Sequence, residues 1–80
     1  MKKINKHLIR KVIIKTFNKS KIPKNISNLK IGDIKEWDSL GNFNLLLEIE
    51  QTFKIRFDLI EIENLKSVPA ILKVLKKNDK

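Results

Sequence analysis

Apolar residues recur at intervals of three and four in three separate segments of this 80-residue chain. That spacing places them along one side of an α-helix, and it predicts helices over about residues 3–17, 39–53 and 67–77, the last one capped by Ser67. A short helix is expected over about 59–65. The predicted fold class is therefore all-α: a small bundle of three main helices plus one short helix.

Two connections interrupt the helical spacing. Residues 18–38 contain Pro23, which blocks a helix, yet aliphatic residues still recur there. We therefore expect a long loop that packs against the bundle and contains a short turn of helix. Residues 54–58 alternate like a strand, but no second strand exists to pair with them, so we expect a connector whose Ile55 and Phe57 fill the core.

Composition excludes several classes of protein. Cysteine is absent, which excludes a disulfide scaffold, a thiolate metal site and a cysteine nucleophile. His7 is the sole histidine and the carboxylates are scattered, so we expect no catalytic residues, no metal site and no enzyme activity. The apolar runs are far shorter than the ~20 residues of a membrane span. We expect one domain spanning residues 1–80, cytoplasmic and monomeric, with no membrane span and no signal peptide.

Charge is segregated along the chain. The net charge is +9, with ten basic and no acidic residues in 1–30, three basic and eight acidic in 31–65, and five basic and one acidic in 66–80. The basic ends suggest nucleic acid or an anionic membrane as a partner. A membrane would be contacted by the first helix, whose apolar arc is wide and leaves Ile14 outside it. Because base-reading and stacking residues are not evident, a solvated basic face is the simpler interpretation, and no nucleic-acid partner is expected.

The second helix has more apolar surface than a core requires. Asp38 is suited to cap it, and Ser39 opens it. At 100° per residue, its side chains form one polar arc (Gly41, Asn44, Glu48, Gln51, Thr52), one apolar arc for the core (Leu45, Leu46, Ile49, Phe53) and a second apolar arc (Leu40, Phe43, Leu47). The second apolar arc must cover a cavity, contact another element or serve a partner. The Ser39 hydroxyl, beside unpaired amides and the positive end of the helix dipole, tolerates an anionic substituent.

The run EWDSLGNFNLLLEIEQTFKIRF resembles the acyl carrier protein family, in which Asp-Ser-Leu heads the second helix. The segment SVPAILKVL is similar to the last helix of that family, so the resemblance covers nearly the whole chain. It implies that a phosphopantetheinyl transferase attaches 4'-phosphopantetheine from coenzyme A to the Ser39 hydroxyl. The arm then carries acyl or related groups as thioesters. Asp38 matches the motif aspartate, which caps the helix and lies near the metal of the transferase.

The resemblance also implies which residues contact partner enzymes. Leu40, Phe43 and Leu47 match the partner-facing apolar positions, and Glu48 and Glu50 match an acidic recognition surface for acyl-loading and acyl-transferring enzymes.

Some features depart from that family. Its members are usually strongly acidic, whereas this chain has basic ends, and Asn44 stands where an acidic residue is common. A tryptophan directly before the motif aspartate, here Trp37, resembles the sequences of specialised carriers. Alternatively, Trp37 simply anchors the loop and shields the start of the helix. Two alternatives stay open: a small basic helical protein that binds nucleic acid, and an aminoacyl or peptidyl carrier of a specialised pathway.

Overall fold

A computed structural model describes residues 6–78 of the chain. Its helices follow in the order α1 (Lys6–Thr16), α2 (Ser39–Phe53), α3 (Leu59–Asn64) and α4 (Val68–Asn78). No strand forms in this part of the chain, which confirms the small all-α bundle. Residues 3–5, expected to begin the first helix, lie outside the described residues. None of the helices between residues 6 and 78 is both long enough and apolar enough to cross a membrane.

The core forms where the apolar stripes of the helices meet. The buried residues include Ile9, Val12 and Ile13 of α1, Leu45, Leu46, Ile49 and Phe53 of α2, and Val68, Ile71 and Leu75 of α4. The four residues of α2 are the core arc expected from the sequence, and Ile14, which falls outside the apolar arc of α1, is exposed. Burying each large aliphatic side chain stabilises the fold by roughly 1.5–3 kcal/mol.

Helices α1 and α2 pack against each other in opposite directions. At the start of α2, Gly41 lies beside the ring of Phe17, which directly follows α1. Farther along α2, a carboxylate oxygen of Glu48 lies 3.3 Å from Nζ of Lys15, which is earlier in α1. The C-terminal end of α1 therefore packs against α2 near the start of that helix.

The connection from residue 17 to residue 38 packs against the bundle, as expected, through the buried side chains of Ile26 and Ile34. The prediction of a short helix within it is wrong. The chain instead makes separate turns, each closed by a backbone bond over three residues: Leu29 to Ile26, Asp33 to Lys30, and Trp37 to Ile34. Gly32 has φ +92°, a left-handed conformation that stops the middle turn from continuing as a helix.

A short extended segment of this loop pairs with the start of α4. The amide of Ile31 donates to the carbonyl of Lys66, and the amide of Val68 donates to the carbonyl of Leu29, both at 2.8 Å. Ser67 begins the helix as expected, since its Oγ accepts a hydrogen bond from the amide of Ala70. The loop is thereby fixed to the last helix by backbone bonds as well as by buried side chains.

The connector after α2 also forms as expected. Lys54 ends the helix in a left-handed conformation (φ 56°), and its amide donates to the carbonyl of Glu50. Phe57 is then buried and Ile55 packs against the core. Residues 54–58 form no strand, because no neighbouring strand is present in the described chain to pair with them.

Candidate functional site

Asp38 caps the first turn of α2. Its backbone is extended (φ −103°, ψ −166°), and Oδ1 accepts a hydrogen bond of 2.8 Å from the amide of Gly41. The carbonyl of Asp38 accepts a second bond, of 2.7 Å, from the amide of Asn42. The prediction that Asp38 is the N-cap of this helix is therefore confirmed.

Ser39 is the first residue of α2, and it is exposed to solvent together with Asp38 and Leu40. The amides of Ser39 and Leu40 have no hydrogen-bond partner among residues 6–78. The hydroxyl therefore lies at the positive end of the helix dipole, open to a reaction partner from outside. A negative group attached there gains about 0.3–1 kcal/mol from the dipole when it is exposed.

Trp37, directly before the cap, is fully buried beneath the start of α2. Its ring lies 5.7 Å from that of Phe17, centroid to centroid, at an angle of 32°. The indole Nε1–H donates a bond of 2.8 Å to Oδ1 of Asn42, the one buried polar side chain among the described residues. Trp37 thus anchors the loop and shields the helix start, as the simpler interpretation of this residue expected.

Gly41 is buried, although helical spacing groups it with the polar residues of α2. A Cβ at this position would collide with the carbonyl oxygen of Glu36 and would lie 3.1 Å from Cε1 of Phe17. The chain before the helix folds back across this point. It is held there because the Glu36 carboxylate accepts hydrogen bonds from the Lys19 amide, at 2.9 Å, and the Ser20 hydroxyl, at 2.7 Å.

The second apolar arc of α2 is open to solvent. Leu40, Phe43 and Leu47 are 69, 49 and 40% exposed, and they follow one side of the helix from Ser39 onward. Of the three roles considered for this arc, covering a cavity and packing on another element do not fit such exposure. We call these three residues the apolar arc of α2.

The two glutamates predicted to form an acidic recognition surface have partners within the chain. Glu48 pairs with Lys15 of α1 across 3.3 Å. Glu50 accepts a hydrogen bond of 2.8 Å from the amide of Phe57 in the connector. Both side chains are partly buried, so each connects α2 to a neighbouring element of the bundle as well as bordering the surface.

Sequence reasoning missed a second exposed apolar pair. Leu59 and Ile60, at the start of α3, are 82 and 75% exposed. Helix α3 has six residues and no buried side chain, which is too short for a periodic pattern to show which side faces the core. Two adjacent large apolar residues in so short a helix were the available signal.

The titratable residues form no cluster suited to a metal ion in the described part of the chain. No group of three or more His, Asp or Glu residues between residues 6 and 78 could hold a metal ion. His7 is exposed on α1, far along the chain from Ser39. The pKa of Asp33 is lowered by hydrogen bonds from the side chain and the amide of Lys30, in an exposed turn of the loop.

Comparison with protein-family models, with curated proteins and with solved structures finds no match for this chain.

Proposed function

We propose that this chain is a carrier protein of the acyl carrier type, with no catalytic activity of its own. Ser39 bears a 4'-phosphopantetheine arm, donated by coenzyme A. The observation that carries this proposal is the open hydroxyl of Ser39 at the first position of α2, directly after a capping aspartate and above a buried, fixed helix start. The Asp-Ser-Leu order at that position is the motif of the carrier family.

The chemistry fits the surroundings of Ser39. In the attachment reaction, the Ser39 oxygen forms a bond to the phosphorus that bears the pantetheine of coenzyme A. The bond from that phosphorus to adenosine 3',5'-bisphosphate breaks, and the hydroxyl proton leaves. The product is a phosphodiester anion beside the N-terminus of α2, where the helix dipole favours negative charge. When attached, the arm supplies the thiol that a chain without cysteine lacks.

A rigid helix start supports this role. An external transferase must find the hydroxyl in one position, because small misplacement of a reacting group costs much of the rate. Here Asp38 fixes the first turn by its cap, and Trp37 holds the preceding loop from inside the core. Neither contact involves the Ser39 side chain, so the hydroxyl stays available while its backbone is held.

The apolar arc of α2 suits the docking of partner enzymes. It begins at Leu40, the residue next to Ser39, and extends through Leu47, which is about 10 Å along the helix axis. Exposed large apolar side chains grouped on one side of a helix are typical of a protein-interaction surface. We assign the arc to the enzymes that load acyl or aminoacyl groups on the arm or remove them from it.

The test is direct modification of the purified protein. The chain is incubated with coenzyme A, Mg²⁺ and a phosphopantetheinyl transferase of broad specificity, and its intact mass is measured. We expect the mass to increase by one phosphopantetheine group. Ser39→Ala removes the increase, whereas Ser27→Ala, a matched change in the loop, keeps it. A wild-type chain that stays unmodified with several transferases, or a Ser39→Ala variant that is still modified, contradicts the proposal.

A further inference from the structure

Two adjoining hollows lie between the start of α1, the loop and α4. The first, of about 420 Å³, is bounded by the beginning of α1 and by loop residues 24–27. The second, of about 370 Å³, continues from Lys6 and Ser27 to α4. The Lys6 ammonium donates a hydrogen bond of 3.0 Å to the Ser27 hydroxyl on their shared wall. We call the two hollows together the basic groove.

The lining of the basic groove is strongly positive. Its charged residues are Lys6, Arg10, Lys24, Lys73 and Lys76, and no aspartate or glutamate is among its lining residues. The ion pairs within residues 6–78 join Lys15 to Glu48 and Lys30 to Asp33, so neither neutralises a cation of the groove. These charges are therefore not neutralised within residues 6–78, and they repel one another until an acidic partner binds.

The cations stand in rows at helical spacing. Lys6 and Arg10 are four residues apart on α1, and Lys73 and Lys76 are three apart on α4, so each pair is separated by about one helical turn. The groove thus has a charged rim on two sides. A helical segment with carboxylates about one turn apart could pair with the cations of α1 and with those of α4.

The floor of the groove is apolar, and its loop wall is held in place by α1. Ile26 is buried beneath the first hollow, and Leu72 is partly buried beneath the second. Arg10 holds the wall in place by donating from Nε to the carbonyl of Pro23, at 2.9 Å, and from Nη2 to that of Ile22, at 3.1 Å. An apolar floor with a polar, charged rim is the anatomy of a protein-protein interface.

The basic groove and Ser39 lie at different ends of α1. The start of α2 contacts Phe17, just beyond the end of α1, whereas the groove begins at Lys6. Phe17 is eleven positions after Lys6, which corresponds to about 16 Å along a helix. A partner in the groove therefore leaves the hydroxyl of Ser39 accessible.

We propose that the basic groove binds an acidic helical segment of a partner protein. Nucleic acid is less well suited, because the lining residues of the groove offer one imidazole, that of His7, and no larger aromatic ring on which successive bases could stack. An anionic membrane is less well suited, because the large apolar residues that are exposed on the described chain all lie elsewhere: Ile14, Leu40, Phe43, Leu47, Leu59 and Ile60. This inference does not depend on modification of Ser39.

The test uses a designed helical peptide of about 15 residues with glutamates at every fourth position and leucines between them. Its affinity for the full chain is measured by calorimetry, beside a peptide with glutamine for glutamate. The variant Lys73→Glu/Lys76→Glu changes the groove. The variant Lys21→Glu/Lys35→Glu changes exposed lysines that line neither hollow and alters the net charge equally. Circular dichroism verifies that both variants are folded.

We expect the acidic peptide to bind and its glutamine analogue to bind at least about tenfold more weakly. The groove variant should weaken binding about tenfold, and the control variant less than about twofold, since isolated surface charges contribute little. Equal weakening by both variants, or no binding, overturns the proposal. Tighter binding of a thymidine oligonucleotide or of phosphatidylserine vesicles at the same salt concentration overturns it too, in favour of nucleic acid or lipid. Ser39→Ala should leave peptide binding unchanged.

Discussion

The indole Nε1–H of Trp37 donates a hydrogen bond of 2.8 Å to the side-chain oxygen of Asn42 in the first turns of α2. Both residues are buried, one before the capping aspartate and one after it. Ser39 lies between them in sequence and is exposed. The position of the Ser39 hydroxyl is thus set by a buried contact in which it takes no part.

Replacing Asn42 tests this contact. Asn42→Leu keeps the approximate volume of the side chain but leaves the Trp37 N–H buried without an acceptor, which costs about 1–3 kcal/mol in the free energy of unfolding. Urea unfolding followed by tryptophan fluorescence measures the change. Asn44→Leu, at an exposed position of the same helix, should change stability by no more than about 0.5 kcal/mol. Equal effects of the two substitutions would show that the bond contributes nothing specific.

Gly41 tests the close approach of the loop to α2. In an open helix, Gly→Ala stabilises by about 1 kcal/mol because alanine has the higher helix propensity. At Gly41 the added Cβ meets the Glu36 carbonyl, so Gly41→Ala should instead destabilise the protein by about 1–3 kcal/mol. Urea unfolding decides the sign, and a stabilised variant would contradict the packing described here.

The helices of this fold were predictable from sequence because their apolar stripes coincide with their buried sides. The expected bounds of α2 agree with those observed, and the core arc formed by Leu45, Leu46, Ile49 and Phe53 is buried. Local capping chemistry was equally readable, since Asp38 and Ser67 each accept from an amide of the helix that follows. These features depend on residues close together in the chain.

Features that depend on distant residues were not predictable in this way. Helical spacing groups Gly41 with polar residues of α2, and it does not reveal that Glu36 and Phe17 crowd that position. The loop was expected to contain a helical turn, but pairing with residues 66–68 and the left-handed Gly32 favour separate turns. At the candidate site, Ser39 and its cap were readable, whereas the buried bond that supports them was not.

A substitution in the apolar arc of α2 should affect acyl loading but neither folding nor modification of Ser39. Leu47→Glu introduces a charge at an exposed position, so stability and phosphopantetheinylation should be little changed. Docking of an acyl-loading enzyme on the arc should weaken, which lowers its kcat/KM with the modified carrier about tenfold. Initial rates of acyl loading measure this effect.

Gln51→Glu is the matched control for that substitution. It adds the same charge one turn farther along the exposed side of α2 without removing an apolar side chain. Loading should fall by less than about twofold. If the enzyme loads both Leu47→Glu and Gln51→Glu as fast as the original protein, the apolar arc is not the docking surface.

The cap of α4 gives a prediction about the loop. Ser67→Ala removes the acceptor for the Ala70 amide and should cost about 1 kcal/mol in the free energy of unfolding. Because residues 29–31 pair with residues 66–68, amide hydrogen exchange at Ile31 should increase as well. Unchanged protection of that amide would show that the cap and the loop are stabilised independently.

The positive charge of α1 should not be needed for modification of Ser39. Lys6→Gln/Lys11→Gln/Lys15→Gln removes three charges from exposed positions of that helix. Lys6 lies at the other end of α1 from Ser39, and the ion pair of Lys15 with Glu48 is largely exposed, where such pairs contribute little, so the rate of phosphopantetheinylation should stay within about twofold of the original. The same variant should bind the acidic peptide more weakly. A folded triple variant that resists modification would place the transferase on α1 rather than on α2.

The most direct measurement of the carrier role is the mass of the protein isolated from its own cells. Intact-mass spectrometry, followed by fragmentation of the peptide that contains Ser39, reports what the native machinery attaches. The account predicts one phosphopantetheine on that serine, in some molecules with a thioester-bound cargo. A protein recovered with Ser39 unmodified throughout, or with the group on another residue, would contradict it.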